Sequence, residues 1–273
     1  MRDGRSSHVQ WILVAGAGGG LEVVHAQRSS QDSASVVVDA FVMTWYAAGR
    51  GRIDMGGRSH EVAPFEIALA PPRLAVTAHP LSGAAPSMSI LVPPAAFALA
   101  VTAASDRLVA SFDPAGALLR GRQLERAAVG FYRAITESCP ALLQDAAWLD
   151  LVRALVACSG QQAPAAPAEP QAIRRAREYL HDHPRGPVQL DDLARAAQLS
   201  KYHFVRRFRR AIGLSPHQYH LCVRAEHARG LLRRGAPPSD AALATGFFDQ
   251  SHFTRVFQRV FGITPGRYAR AWR

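Results

Sequence analysis

The chain has 273 residues, 48% hydrophobic and 19% charged, which suits two modest domains with cores of their own and excludes a disordered polymer. Its net charge of +11 favours polyanionic partners, and no apolar run reaches the 18 residues a membrane span needs. Cys139, Cys158 and Cys222 are few, odd in number and far apart, which excludes a disulfide scaffold and a zinc-ligand spacing and fits a reducing, cytoplasmic setting.

The charge is segregated. Residues 1–170 hold 13 Lys/Arg against 14 Asp/Glu, and residues 171–273 hold 19 against 7. This is the footprint expected of a nucleic-acid-binding domain joined to a neutral one.

The opening, MRDGRSSHVQWILVAGAGGG, is charged and then briefly apolar. Glycine dominates where a signal peptide would need a firm apolar helix. GAGGG matches neither a dinucleotide fingerprint nor a P-loop, and it reads as a turn. Between residues 20 and 110 short strand-like runs follow one another: VVVDAFVMTWY, GRIDMGG, RSHEVAP, FEIALAP, LAVTAH and SMSILVP. Gly49–Gly51, Gly56-Gly57, Pro64, Pro71-Pro72 and Pro93-Pro94 interrupt them, which predicts a small sandwich or barrel.

The mouth of such a barrel can hold a ligand. Trp45, Tyr46, Arg50 and Arg52 are the candidate effector-pocket residues; the competing reading makes the aromatics core and the arginines solvated. His8, His25, His60 and His79 are scattered without an HxH pair, so no metal site is expected. No catalytic constellation and no cofactor motif is present.

Residues 121–138 and 141–157 read as two appended helices. Leu124, Ala128, Phe131 and Ile135 form one apolar stripe, and Leu142, Ala146, Leu149, Val152 and Leu155 the other. Their stripes must bury against the barrel, each other or a second subunit. Residues 159–170, rich in Ala, Pro and Gln, read as a semi-rigid linker. The expected domains are therefore 1–158 and 171–273.

A helix over 171–182 carries Ile173, Ala176 and Leu180. A second begins at Leu190-Asp191-Asp192, and Gln198-Leu199-Ser200 makes a turn with Ser200 as N-cap. Helix 201–211 then has two faces: Phe204, Phe208 and Ala211 inward, and Tyr202, Val205, Arg206 and Arg209 outward at helical spacing. A helix laid in a major groove needs this division. Arg206 can meet guanine O6 and N7 together, while Tyr202 and Val205 suit thymine methyls. Lys201, Arg207, Arg209 and Arg210 are placed as backbone clamps. The plain alternative for each arginine is a solvated surface charge.

Gly213 ends that helix, and Ser215-Pro216 starts one over 216–234, spanning about 28 Å. A shift of 49 residues then superposes a second copy. Ser200 falls on Asp249, His203 on His252, Phe204 on Phe253 and Arg206 on Arg255; Phe208 falls on Phe257, Gly213 on Gly262, Pro216 on Pro265 and Tyr219 on Tyr268. The outward face of the copy holds Gln250, Ser251, His252 and Arg255 as base readers, with Arg259 on the backbone. One chain thus reads as two helix-turn-helix units joined by a spacer helix, aimed at adjacent major-groove segments of double-stranded DNA.

The segments LARAAQLSKYHFVRRFRRAIGLSPHQY, RAEHARGLL and LATGFFDQSHFTRVFQRVFGITPGRYAR resemble the DNA-binding domain of AraC/XylS-type bacterial transcription regulators. The resemblance implies seven helices and DNA contacts at Tyr202, Val205, Arg206, Gln250, Ser251, His252 and Arg255. TWYAAGRGRIDMGGRSHEVAPFEIALAPP resembles the cupin-like effector-binding and dimerisation domain of the same regulators. It implies a homodimer, a small-molecule effector, contact with RNA polymerase and, as the commoner role, activation.

Three positions depart from the family pattern. Gln198 stands where the first turn has Gly, Pro238 and Ala241 stand where larger aliphatics precede the second unit, and Pro64-Phe65-Glu66 replaces Pro-Gly. The rival readings are a β domain that only dimerises or meets a protein, a cupin enzyme fused to a DNA-targeting module, and an architectural, non-specific DNA binder.

Overall fold

The computed structural model describes residues 8–14, 20–28, 33–81, 85–104, 117–159, 169–186 and 188–272. Among the described residues the N-terminal part holds ten strands, all antiparallel in their ladders: β1 (His8–Val14), β2 (Leu21–Arg28), β3 (Ala34–Val36), β4 (Phe41–Tyr46), β5 (Gly51–Met55), β6 (Arg58–Val62), β7 (Ile67–Ala70), β8 (Val76–Pro80), β9 (Ala85–Val92) and β10 (Ala117–Leu119). They form a six-stranded sheet, β1-β2-β9-β4-β7-β10, and a four-stranded sheet, β3-β8-β5-β6.

The expected β domain is present, with one correction. Its ladders make two facing sheets, and among the described residues no ladder joins one sheet to the other, so the barrel is not closed; an isolated bridge pairs Tyr46 with Pro64, in the segment between β6 and β7. The β5–β6 hairpin turns on Gly56 and Gly57, both at positive φ (57° and 72°), as a tight hairpin requires. GAGGG lies almost wholly outside the described residues.

Strand alternation sorts β4 between two cores. Val42 and Tyr46 point toward the smaller sheet, while Met43 and Trp45 point the other way, under helices. Those helices are α1 (Pro94–Ala104), α2 (Arg122–Thr136) and α3 (Ala141–Ser159). The α2 stripe is as expected, with Leu124, Ala128, Phe131 and Ile135 all buried. The phase of α3 differs in part from the expected one. Leu142 and Ala146 are exposed and Leu149 is half-buried, whereas Val152 and Leu155 are buried as expected, joined by Trp148 and Leu151; the Trp148 ring meets Phe131 at 6.0 Å, tilted by 59°.

The C-terminal part holds seven helices among the described residues: α4 (Gln171–Asp182), α5 (Leu190–Ala196), α6 (Lys201–Ile212), α7 (Pro216–Arg233), α8 (Pro238–Ala244), α9 (Gln250–Phe261) and α10 (Pro265–Ala271). Phe204 and Phe208 of α6, and Phe253 and Phe257 of α9, are fully buried, so the repeat packs alike in both halves. Residues 160–168 of the expected linker lie outside the description; Glu169 beyond them is tied to Arg177 at 2.8 Å.

The two turns differ. In α5–α6 the left-handed position is Gln198 (φ 55°); in α8–α9 it is Gly246 (φ 73°). The second turn is also one residue longer, and the extra residue, Phe248, is 95% exposed. Pro238 serves as a first-turn proline, so α8 starts late, and Ala241 is fully buried.

The two domains share one hydrophobic cluster. It runs from Val24, Tyr46 and Val76 in the strands to Phe208, Tyr219, Phe257 and Tyr268 in the helices.

Candidate nucleic-acid interface

Helices α6 and α9 carry the predicted DNA-facing residues, and their sequences explain their ends. Gly213 and Gly262 close them in the left-handed conformation (φ 87° and 72°), where a Cβ would be disfavoured. Asp249 caps α9 by accepting from the His252 N–H at 2.6 Å. Ser200 occupies the matching position of α6, but its side chain makes no capping bond, contrary to expectation. The following helix α7 is fixed by a capping box in which the Ser215 N–H donates to Gln218 and the Gln218 N–H donates back to Ser215 Oγ.

Tyr202, Arg206, Arg207, Arg209 and Arg210 on α6 are exposed, as are Gln250, Ser251, Arg255 and Arg259 on α9. None of these arginines makes an ion pair among the described residues, so each presents its full set of donors to solvent. Such a surface attracts phosphate without first breaking internal pairs.

Three predicted contacts are placed differently. Val205 is half-buried against the core and lines a groove with Leu193 and Pro216, so it flanks the outward face. The His252 ring packs edge-on against Phe247 at 5.5 Å, which turns it back toward the turn. Lys201 pairs with Asp191 at 2.7 Å, tying α6 to α5.

Sequence reasoning passed over Arg224 and Arg229, both on α7. Arg224 lies over the Phe247 ring at 4.5 Å and donates to the Thr245 carbonyl at 2.8 Å, which pins the second turn to α7. Arg229 is 4% exposed and bonds Glu226, three residues back on its own helix, and Glu22 on β2. Their helical spacing resembled surface charge, and only the fold reveals their partners.

The expected effector residues separate. Tyr46 lines a cleft between the two sheets, together with Val24, Val42, Thr44, Val76, Ser89 and Leu91; Val260 and Phe261 of α9 form part of its wall. The cleft holds a cavity of about 60 Å³, and no charged side chain lines it among the described residues. Trp45 is not in it, because its neighbour in the strand points to the opposite face; its ring packs near Phe131 at 6.5 Å. Arg50 is exposed and Arg52 pairs with Asp54, both outside the lining. Among the described residues no group of His, Cys, Asp or Glu is placed to hold a metal ion.

Residues 193–271 match the family model described as a helix-turn-helix domain. The chain is 38% identical over 85 residues to YbfI of Bacillus subtilis (strain 168), described as an uncharacterised HTH-type transcriptional regulator; the match spans 31% of either chain, about a third of that relative's length. The whole fold is similar to ToxT of Vibrio cholerae O395, with TM-score 0.52 at 12% identity, covering 92% of this chain and 98% of that one. Unsaturated-fatty-acid-bound ToxT from strain SCE256 is similar too, with TM-score 0.54 at 13% identity and coverage of 97% and 96%. At these identities the likeness to ToxT is one of fold.

Proposed function

We infer that this chain is a sequence-specific, double-stranded-DNA-binding transcription regulator of the AraC/XylS type, a reading supported by the match of residues 193–271 to a helix-turn-helix domain. The observation that carries the reading is the repeated presentation of an exposed, unpaired arginine, Arg206 on α6 and Arg255 on α9, at matching positions 49 residues apart. Each can reach a guanine edge from the major groove, while Arg207, Arg209, Arg210 and Arg259 hold phosphates. Tyr202, Gln250 and Ser251 complete the base-facing set.

In this reading the β domain senses a small molecule in the cleft between its sheets. An apolar wall with the Thr44, Ser87 and Ser89 hydroxyls suits an uncharged, largely apolar ligand with one hydrogen-bonding group. A carboxylate would enter that wall without a cationic partner, which burial makes unfavourable. ToxT has been crystallised with an unsaturated fatty acid bound, an anion for which this cleft offers no cationic partner among the described residues. Homodimerisation through the β domain and its helices, contact with RNA polymerase and a cytoplasmic location complete the proposal.

The test is selection of a binding site from random-sequence duplexes, followed by titration at fixed salt. Arg206→Ala and Arg255→Ala should each lower affinity for the selected site by about 1–3 kcal/mol. Equal binding of selected and random duplexes by the unaltered chain would overturn the reading.

A further inference from the structure

The two halves of the repeat are anchored to the β domain through the same residue. Tyr219 and Tyr268 stand 49 residues apart, at matching positions of the two copies, and both are fully buried. The Tyr219 hydroxyl donates to the Arg73 carbonyl at 2.9 Å, in the loop before β8. The Tyr268 hydroxyl donates to Glu22 Oε2 at 2.9 Å, on β2. Each half of the helical domain thus has one phenol bonded to the β domain.

Both attachments are reinforced. Arg73 is itself held in a left-handed conformation (φ 66°), with its N–H on the Val38 carbonyl and its guanidinium on Asp39 at 2.7 Å, so the carbonyl it offers is fixed. Arg177 donates to that carbonyl as well, at 3.2 Å. On the other side Glu22, 3% exposed, also accepts from Arg229 and Arg233 of α7. A buried carboxylate with three donors is held in one geometry, because losing any donor strands charge in a dry site.

The far ends of the reading helices touch the same domain. A side chain at Gly57, in the β5–β6 hairpin, would meet the Arg210 carbonyl at 2.3 Å, so hairpin backbone lies against the C-terminal end of α6. Val260 and Phe261, at the C-terminal end of α9, reach the cleft between the sheets. The opposite ends stay free: Tyr202, Gln250 and Ser251 are exposed with the domains docked. The β domain therefore does not cover the DNA-facing surface.

We propose that the β domain is a brace, and that Tyr219 and Tyr268 are positioning residues that fix the separation and relative angle of α6 and α9, and so the spacing of the DNA segments the chain accepts. The proposal rests on the DNA-binding reading and goes beyond it. Inserting one base pair between the two segments turns one by about 34° and moves it by about 3.4 Å relative to the other. A braced pair cannot follow that change; an unbraced pair, joined by α7 alone, follows it in part.

The experiment uses the full chain, unaltered and as Tyr219→Phe, Tyr268→Phe and the double variant, which keep the buried rings and remove only the hydroxyls. Glu22→Gln is a second route to the same loosening. Affinity is measured for the selected site and for that site with one base pair added or removed between the segments. Circular dichroism reports folding, and the rate of proteolysis within 159–170 reports docking.

The unaltered chain should discriminate sharply between spacings. The folded double variant should be cleaved faster, bind the native spacing more weakly and show a discrimination ratio about fivefold or more lower. An unchanged ratio, unchanged protection from cleavage, or tighter binding of the native site would each overturn the brace while leaving DNA recognition standing. Absence of site preference in the unaltered chain would fell both.

Discussion

The left-handed residue of each helix-turn-helix turn gives a prediction whose sign differs between the two units. At Gly246 an added Cβ would lie 2.0 Å from the Arg185 carbonyl oxygen, and φ is 73°. Gly246→Ala costs about 1–2 kcal/mol for the left-handed backbone and about 1–3 kcal/mol for displacing the Arg185 loop. The stiffer unfolded chain returns about 0.4–1 kcal/mol. The net loss is about 1–4.6 kcal/mol, a fall of roughly 2–18 °C in the midpoint for a chain of this size.

Gln198 already bears the left-handed strain, at φ 55°. Gln198→Gly should relieve about 1–2 kcal/mol and lose about 0.4–1 kcal/mol to unfolded-state freedom, a net gain of up to about 1.6 kcal/mol. Urea and thermal unfolding of both variants beside the unaltered chain decide the matter. A Gly246→Ala midpoint equal to that of the parent, or a Gln198→Gly midpoint below it, would falsify the reasoning.

Other expectations follow from the same contacts. Asp249→Ala should destabilise by about 1 kcal/mol through loss of the α9 cap, whereas Ser200→Ala, which breaks no capping bond, should stay within about 0.5 kcal/mol in the same melts. Phe248→Ala should leave stability within about 0.5 kcal/mol, since its ring is solvent-exposed; a larger loss would show that the ring packs. Burial, helped by the nearby Arg73 charge, pushes the His181 imidazole down from 6.5 to about 4. The folded chain then keeps His181 neutral where the unfolded chain protonates it. Its contribution is therefore complete above pH 6.5 and drains away as pH falls toward 4, at most about 1.4 kcal/mol per pH unit. His220, lowered chiefly by burial, acts in the same direction. Denaturant midpoints across that range should flatten in His181→Gln, and a parallel curve would remove His181 from the account.

The helical half was legible because its signals are local. Phe204 and Phe208 at four-residue spacing, Ser215-Pro216 before α7 and Gly213 after α6 each name a face or an end without reference to the rest of the chain. The β half was less so. Strand β2 carries Glu22 and His25 among valines, and its charge makes sense only beside Arg229, more than two hundred residues away. Helix α1, PAAFALAVTAA, is apolar all round and offers no stripe to detect. In α3 burial follows the Leu142 stripe only at Val152 and Leu155, and Trp148, whose ring meets Phe131, lies off it. Tyr46 and Trp45 looked alike as pocket candidates until strand alternation put one in the cleft and the other under α2.

The hydrophobic cluster that passes without a break from Val24 and Val76 to Phe257 and Tyr268 makes the chain's modularity one of sequence rather than of thermodynamics. Heating should melt the β half and the helical half in a single cooperative step, since neither can expose its share of that surface alone. For the same reason, a chimaera that grafts this β half onto another reader must transplant the facing residues of α7, α9 and α10, or it will carry a raw apolar wound where the partner used to be.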